Sequence, residues 1–140
     1  MGGTSYITGI ASNSTVIIGI ITATSDCHVS FNHSVSGDAL IEYYKECNIS
    51  GGTSINIYNH ELSVVGTPDT SFVISPSISV AGSVYKTIFI AGGGTNKSTG
   101  ATSPFSPETI FPSNSKFYVK YTNLDGNDSR YNFITDFYEV

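Results

Sequence analysis

Charge is what this sequence has least of. Asp, Glu, Lys and Arg make up only 12% of its 140 residues, well below the roughly 25% usual in globular domains. The six cations stand singly at Lys45, Lys86, Lys97, Lys116, Lys120 and Arg130, and the net charge is −5. No basic patch could neutralise several phosphates, which argues against a nucleic-acid partner. Cysteine is almost as scarce. Cys27 and Cys47 lie far apart with no CxxC spacing, and no charged stretch leads into an apolar run and cleavage site near Met1. These absences predict synthesis in a reducing compartment, without secretion. The apolar run Val16–Ile21 (VIIGII) is far short of the roughly 20 residues that cross a bilayer, so no membrane partner is expected. No window of eleven or more residues spaces its apolar positions at i, i+3, i+4 and i+7, so no long helix is expected either.

Ser, Thr, Asn and Gly are abundant, with nine Tyr and eight Phe, and the prevailing pattern is alternation. In His28–Ser34, Val29, Phe31 and His33 share one face. Asp38–Glu46, Val84–Ala91, Lys116–Asn123 and Arg130–Glu139 alternate in the same way, and the β-branched Thr15–Thr22 reads as a strand covered on both faces at the centre of a sheet. Tyr6–Ile10 is expected as a short strand. Phe72–Ile78 reads as an extended segment that Pro76 confines to an edge or strand end, and Glu108–Ser115 as a helical turn or short edge strand. Two hairpins are predicted. NISGGT, residues 48–53, would fold 54–58 back beside 38–46, and DGNDS, residues 125–129, would pair the last two strands. Residues 1–5 read as a flexible lead-in and 92–107 as a long exposed loop. One domain of about eight or nine antiparallel strands follows, an all-β sandwich of jelly-roll type with little or no helix.

The chemistry-bearing residues form no familiar constellation. Cys27, His28, His33, Cys47 and His60 match no short-range zinc pattern, and His28 and His33 face opposite sides of a strand. The expected state is solvated histidines and buried thiols, with no metal or other cofactor. Serines abound without a GxSxG elbow. Glu42 and Glu46 would sit about 13 Å apart at about 3.3 Å per residue, too far for a glycosidase pair. Asp125, Asn127 and Asp128 offer oxygen ligands but read first as turn chemistry. Gly92–Gly94 lacks the lysine and helix of a phosphate loop. The N-x-S/T triplets at Asn13, Asn32, Asn48, Asn96 and Asn127 follow from composition. No catalytic residue is assigned, and the chain reads as a non-enzyme.

The succession SGDALIEYYKECNISGGTSINIYNHEL, GSVYKTIFIAGGG, ETIFPSNSKFYVKYTNL and a terminal FYE, spanning about His28 to Glu139, resembles the small β-sandwich head decoration, or cement, proteins of tailed bacteriophages. In that family a tyrosine strand leads into a Ser-Gly-Gly-Thr turn, matched by Tyr44 and Ser50–Thr53. The next strand closes on an Asn-Arg-Asn-Arg segment, where this chain has Asn59, His60, Glu61 and Leu62, keeping the asparagine and lacking both arginines. A glutamate matches Glu108, a Thr-Asn strand end matches Thr122 and Asn123, and the closing aromatic-Tyr-Glu matches Phe137, Tyr138 and Glu139. The resemblance implies a structural virion protein, made in the host cytoplasm and placed on the outer capsid surface. There it would clamp neighbouring copies of the major capsid protein, as a homotrimer, with Tyr58, Asn59, His60, Glu61, Tyr138 and Glu139 as partner-binding residues. A receptor- or carbohydrate-binding module of a phage tail or fibre is the alternative, with a hydrolase on a jelly-roll scaffold behind it, since sandwiches host all three.

Overall fold

The computed structural model describes residues 2–59, 68–91, 101–102 and 108–140. They form fourteen strands and no helix: β1 Gly2–Ile10, β2 Thr15–Ile21, β3 Cys27–Val35, β4 Ala39–Lys45, β5 Asn48–Ser50, β6 Thr53–Ser54, β7 Ile57–Asn59, β8 Ser71–Ile74, β9 Ser77–Val80, β10 Ser83–Ile90, β11 Ala101–Thr102, β12 Thr109–Phe111, β13 Lys116–Asn123 and β14 Ser129–Glu139. One sheet has the order β11-β3-β14-β1-β7, with β12 also on β3. The second runs β10-β4-β13-β2-β8-β6, and β5 and β9 make a separate two-stranded ribbon.

Every pairing is antiparallel, and the pairings nest. β1 lies on β14, β2 on β13, β3 on β12 and β4 on β10. The chain is thus one long hairpin wound into two sheets, which is the jelly-roll topology. Residues 46–82 are inserted at its tip and carry the strands β5 to β9. The alternation read from the sequence sets the core: Val29, Phe31, Ile41, Tyr43, Val119, Tyr121, Tyr131, Phe133 and Phe137 are all buried between the sheets.

Three expectations about pairing are corrected. Residues 38–46 and 54–58 do not form a hairpin. β4 pairs with β10 and β13, while β5, β6 and β7 go to β9, β8 and β1. The departure is set at Glu46, whose φ of 57° turns the chain away from its own sheet. DGNDS is no hairpin either, because β13 and β14 belong to different sheets and the turn is an arch between them. There Asn123, fully buried, donates from Nδ2 to the carbonyls of Ile10, Ala11 and Asn127, and its Oδ1 accepts the Asp125 N–H. Residues 2–5 are no loose lead-in; they are paired to β14 along their length, with 2–4 also paired to β7. Pro76 does stand at a strand end, as expected, although residues 72–78 are not one segment: they divide into β8 and β9 around Ser75, whose φ is 52°, with Pro76 buried between them.

β2 does lie inside its sheet, between β13 and β8. Residues 109–111 form the short edge-strand alternative. Of the expected loop at 92–107, Ala101–Thr102 pairs with Ser34 and Val35, and the rest lies outside the described residues, as does Met1.

Candidate docking face

β1, β3, β7 and β12 contain no Asp, Glu, Lys or Arg at all, and β14 contributes only Arg130, Asp136 and Glu139. The outward side chains of this first sheet therefore make a broad surface with few charges, Arg130 and Asp136 being the exposed ones in its strands. Register places Asn132 between Ile7 and Ser34, Ile134 between Ser5 and Asn32, and Gly3 between Tyr58 and Asp136. Ile7 is 63% exposed and Ile110 56%, while Tyr58 and Tyr138 are each about 40% exposed. Gly3 is glycine for a local reason. A Cβ there would meet the Tyr58 ring at 2.8 Å, so only a bare backbone lets that ring lie across β1.

At the centre of the face the Asn132 Oδ1 is shielded from water and has no hydrogen-bond partner. An acceptor in that state costs about 1–3 kcal/mol. At one corner, Tyr138 stacks on His28 with ring centroids 4.6 Å apart. The His28 Nδ1 lies 3.0 Å from the Tyr138 hydroxyl and 3.2 Å from Glu108 Oε1. The hydrogen bond to Glu108 is the main cause that raises the Tyr138 hydroxyl above its ordinary pKa.

Of the residues the resemblance assigns to partner binding, Tyr58 and Tyr138 both lie on this face, near one end of the sheet: Tyr58 shares a row with Gly3 and Asp136, and Tyr138 is two residues further along the central strand β14. Glu139 does not. Its side chain turns inward at the strand end, where Oε1 accepts the Asp69 N–H and Oε2 accepts the Thr70 hydroxyl. It anchors the approach to β8 and is occupied by that role. Asn59 contributes backbone pairing to Gly2, and His60 and Glu61 lie outside the described residues. Ile7, Ile110 and Asn132 had not been singled out. The signal that could have found Ile7 is its place on the polar side of a strand built of Gly, Thr and Ser.

The opposite face of the sandwich is not free in the same way. The β5–β9 ribbon packs over it through the buried Ile49. Three bonds tie it down: Tyr118 hydroxyl to the Ala81 carbonyl at 2.8 Å, Lys116 Nζ to Asn48 Oδ1 at 3.1 Å, and Cys47 Sγ to the Lys116 carbonyl at 3.3 Å.

The expectation of solvated histidines fails at His33, which is completely buried. It holds Tyr131 hydroxyl at Nδ1 and Tyr43 hydroxyl at Nε2. Burial, assisted by the nearby Lys86 charge, lowers its pKa to about 3, so the ring is a neutral structural group at ordinary pH. Cys27 is buried, as expected, and burial pushes its thiol up to about 11, far from the thiolate a nucleophile needs. Asp125 and Asp128 accept the N–H groups of Asn127 and Ser12, which is the turn chemistry read from the sequence. Among the described residues, no three His, Cys, Asp or Glu side chains converge as a metal site would require.

No protein-family model matches this chain, and no curated protein matches it.

Proposed function

We propose that this protein is a structural component of a tailed-phage virion, a decoration protein that self-associates as a trimer on the outer capsid surface and clamps neighbouring major capsid subunits. The observation that carries this reading is the outer face of the β11-β3-β14-β1-β7 sheet. It carries few charges for its breadth, Arg130 and Asp136 being the exposed ones in its strands, and it exposes Ile7, Ile110, Tyr58 and Tyr138. A sheet face that stays in water normally carries charges against association. This one suits permanent contact. A trimer that touches several capsid subunits needs only modest strength at each, because the second and third contacts form at high effective concentration.

The test is co-sedimentation of the purified, folded protein with undecorated heads. Saturable binding at a fixed number of copies per head is expected, together with greater resistance of the decorated heads to heat. Folded protein that stays in the supernatant at every concentration, or saturable sugar binding on a glycan array, defeats the reading.

A further inference from the structure

Two adjoining hollows of about 190 and 420 Å³ share Lys45 and Phe117 and run across one end of the sandwich. The floor is apolar, made by Phe111 and Phe117, whose rings lie 4.5 Å apart. One wall is Tyr85, the extra residue of a β-bulge between Val84 and Lys86. Bulges re-aim side chains at sheet edges, and here the bulge sets Tyr85 against the hollow instead of leaving it in register with β4. Two of the four lysines among the described residues, Lys45 and Lys116, stand at the rim with Glu46 the one carboxylate. Lys116 spends one N–H on Asn48 and keeps two more to offer. On a chain of net charge −5, this is a locally cationic groove with an aromatic floor.

The complementary surface lies on the same chain. Beyond Ile110, at the rim of the groove, the outer face presents Glu108 and Asp136 around the stacked Tyr138 and His28. That corner is acidic and aromatic where the groove is basic and apolar. We infer that the groove of one copy receives the Glu108–Tyr138 corner of a second copy, Lys45 and Lys116 facing Glu108 and Asp136 across the contact. A contact between two different patches of one chain is heterologous and must close on itself to avoid growing into a filament. The two patches adjoin along β12, and closure at three copies would give the trimer of the reading above. This inference rests on the self-association in the reading above and names the surfaces that carry it.

The experiment reads mass in solution, by sedimentation of the full chain, and scores head binding separately. The wild type is expected to sediment as a trimer at micromolar concentration. Lys45→Glu with Lys116→Glu, and separately Glu108→Lys with Asp136→Lys, should each weaken association about tenfold or more by setting like charges face to face. The fourfold variant carrying all these changes should regain the trimer, an outcome that a merely misfolded variant cannot produce. A monomeric wild type, a trimer insensitive to both reversals, or a fourfold variant that stays dissociated while folded overturns the inference. A charge-sensitive trimer that ignores undecorated heads leaves the inference standing and sinks the capsid role. A charge-insensitive trimer that binds heads does the reverse.

Discussion

His33 Nε2 lies 2.5 Å from the Tyr43 hydroxyl, a contact that ties the two sheets together through the middle of the core. Nδ1 holds Tyr131 at 2.6 Å on the other side, and burial raises both phenols above their ordinary pKa, so all three groups are neutral. An imidazole held neutral to about pH 3 takes up its proton far more readily in the unfolded chain, near its ordinary value of about 6.5. The unfolded state then binds more protons across that window, and stability falls as pH drops through it. Between about pH 7 and about pH 4.5 this one group should remove on the order of 2–3 kcal/mol. Urea unfolding at the two pH values checks it. His33→Gln should lower stability at neutral pH and flatten the pH dependence; a slope equal to wild type would move the origin elsewhere.

Three described glycines, Gly51, Gly52 and Gly82, have positive φ, and at Gly51 and Gly82 the reasons differ in a way that substitution should separate. Gly51 has φ 68° with nothing within 4 Å of an added Cβ, whereas at Gly82, φ 74°, that Cβ would sit 2.1 Å from the Lys45 carbonyl. Gly51→Ala should cost about 1 kcal/mol, the price of the left-handed backbone alone. Gly82→Ala must also push β10 away from the end of β4, adding about 1–3 kcal/mol. Thermal unfolding of the two variants side by side gives the difference, and equal losses would show that the β10 entry yields easily.

Individual strands were legible in the sequence because a period of two reports which side chains share a face, as it did for Val29, Phe31 and His33. It says nothing about the neighbour on either side. NISGGT and DGNDS carry the residues of a tight reversal, and the same residues serve an arch that crosses from one sheet to the other. Only the burial of Asn123, bonded to carbonyls 112 and 113 residues away, distinguishes the arch, and that is a tertiary fact. His33 was legible by position and not by state. A histidine in line with valine and phenylalanine needs hydrogen-bond partners to stay buried, and one of them, Tyr131, lies 98 residues further on. On the docking face, Tyr58 and Tyr138 could be anticipated from motif resemblance. The shielding of Asn132 depends on three strands meeting.

The Asn123 arch makes its own prediction. One amide satisfies three carbonyls and one N–H at the junction of β1, β13 and β14. Asn123→Ala leaves several buried groups unpaired at once, and a loss of about 2–4 kcal/mol is expected. Amide exchange at Ser14 and Asp125 should accelerate before the rest of the molecule responds. A loss below about 0.5 kcal/mol would mean that water replaces the side chain without cost.

Ile7 gives the most direct probe of the docking face, because it is largely exposed and its substitution leaves the core alone. Ile7→Lys places an ammonium beside Asn132 on a surface whose strands otherwise hold no lysine. Stability should stay within about 0.5 kcal/mol of wild type, as for other surface changes. Head binding should weaken by about tenfold or more, since a charge carried into an apolar contact must be desolvated without a partner. Ser54→Lys, on the exposed edge strand β6 of the other sheet, is the matched control and should bind as wild type does. Equal binding by Ile7→Lys would take this face out of the contact and shift attention to the opposite side of the sandwich.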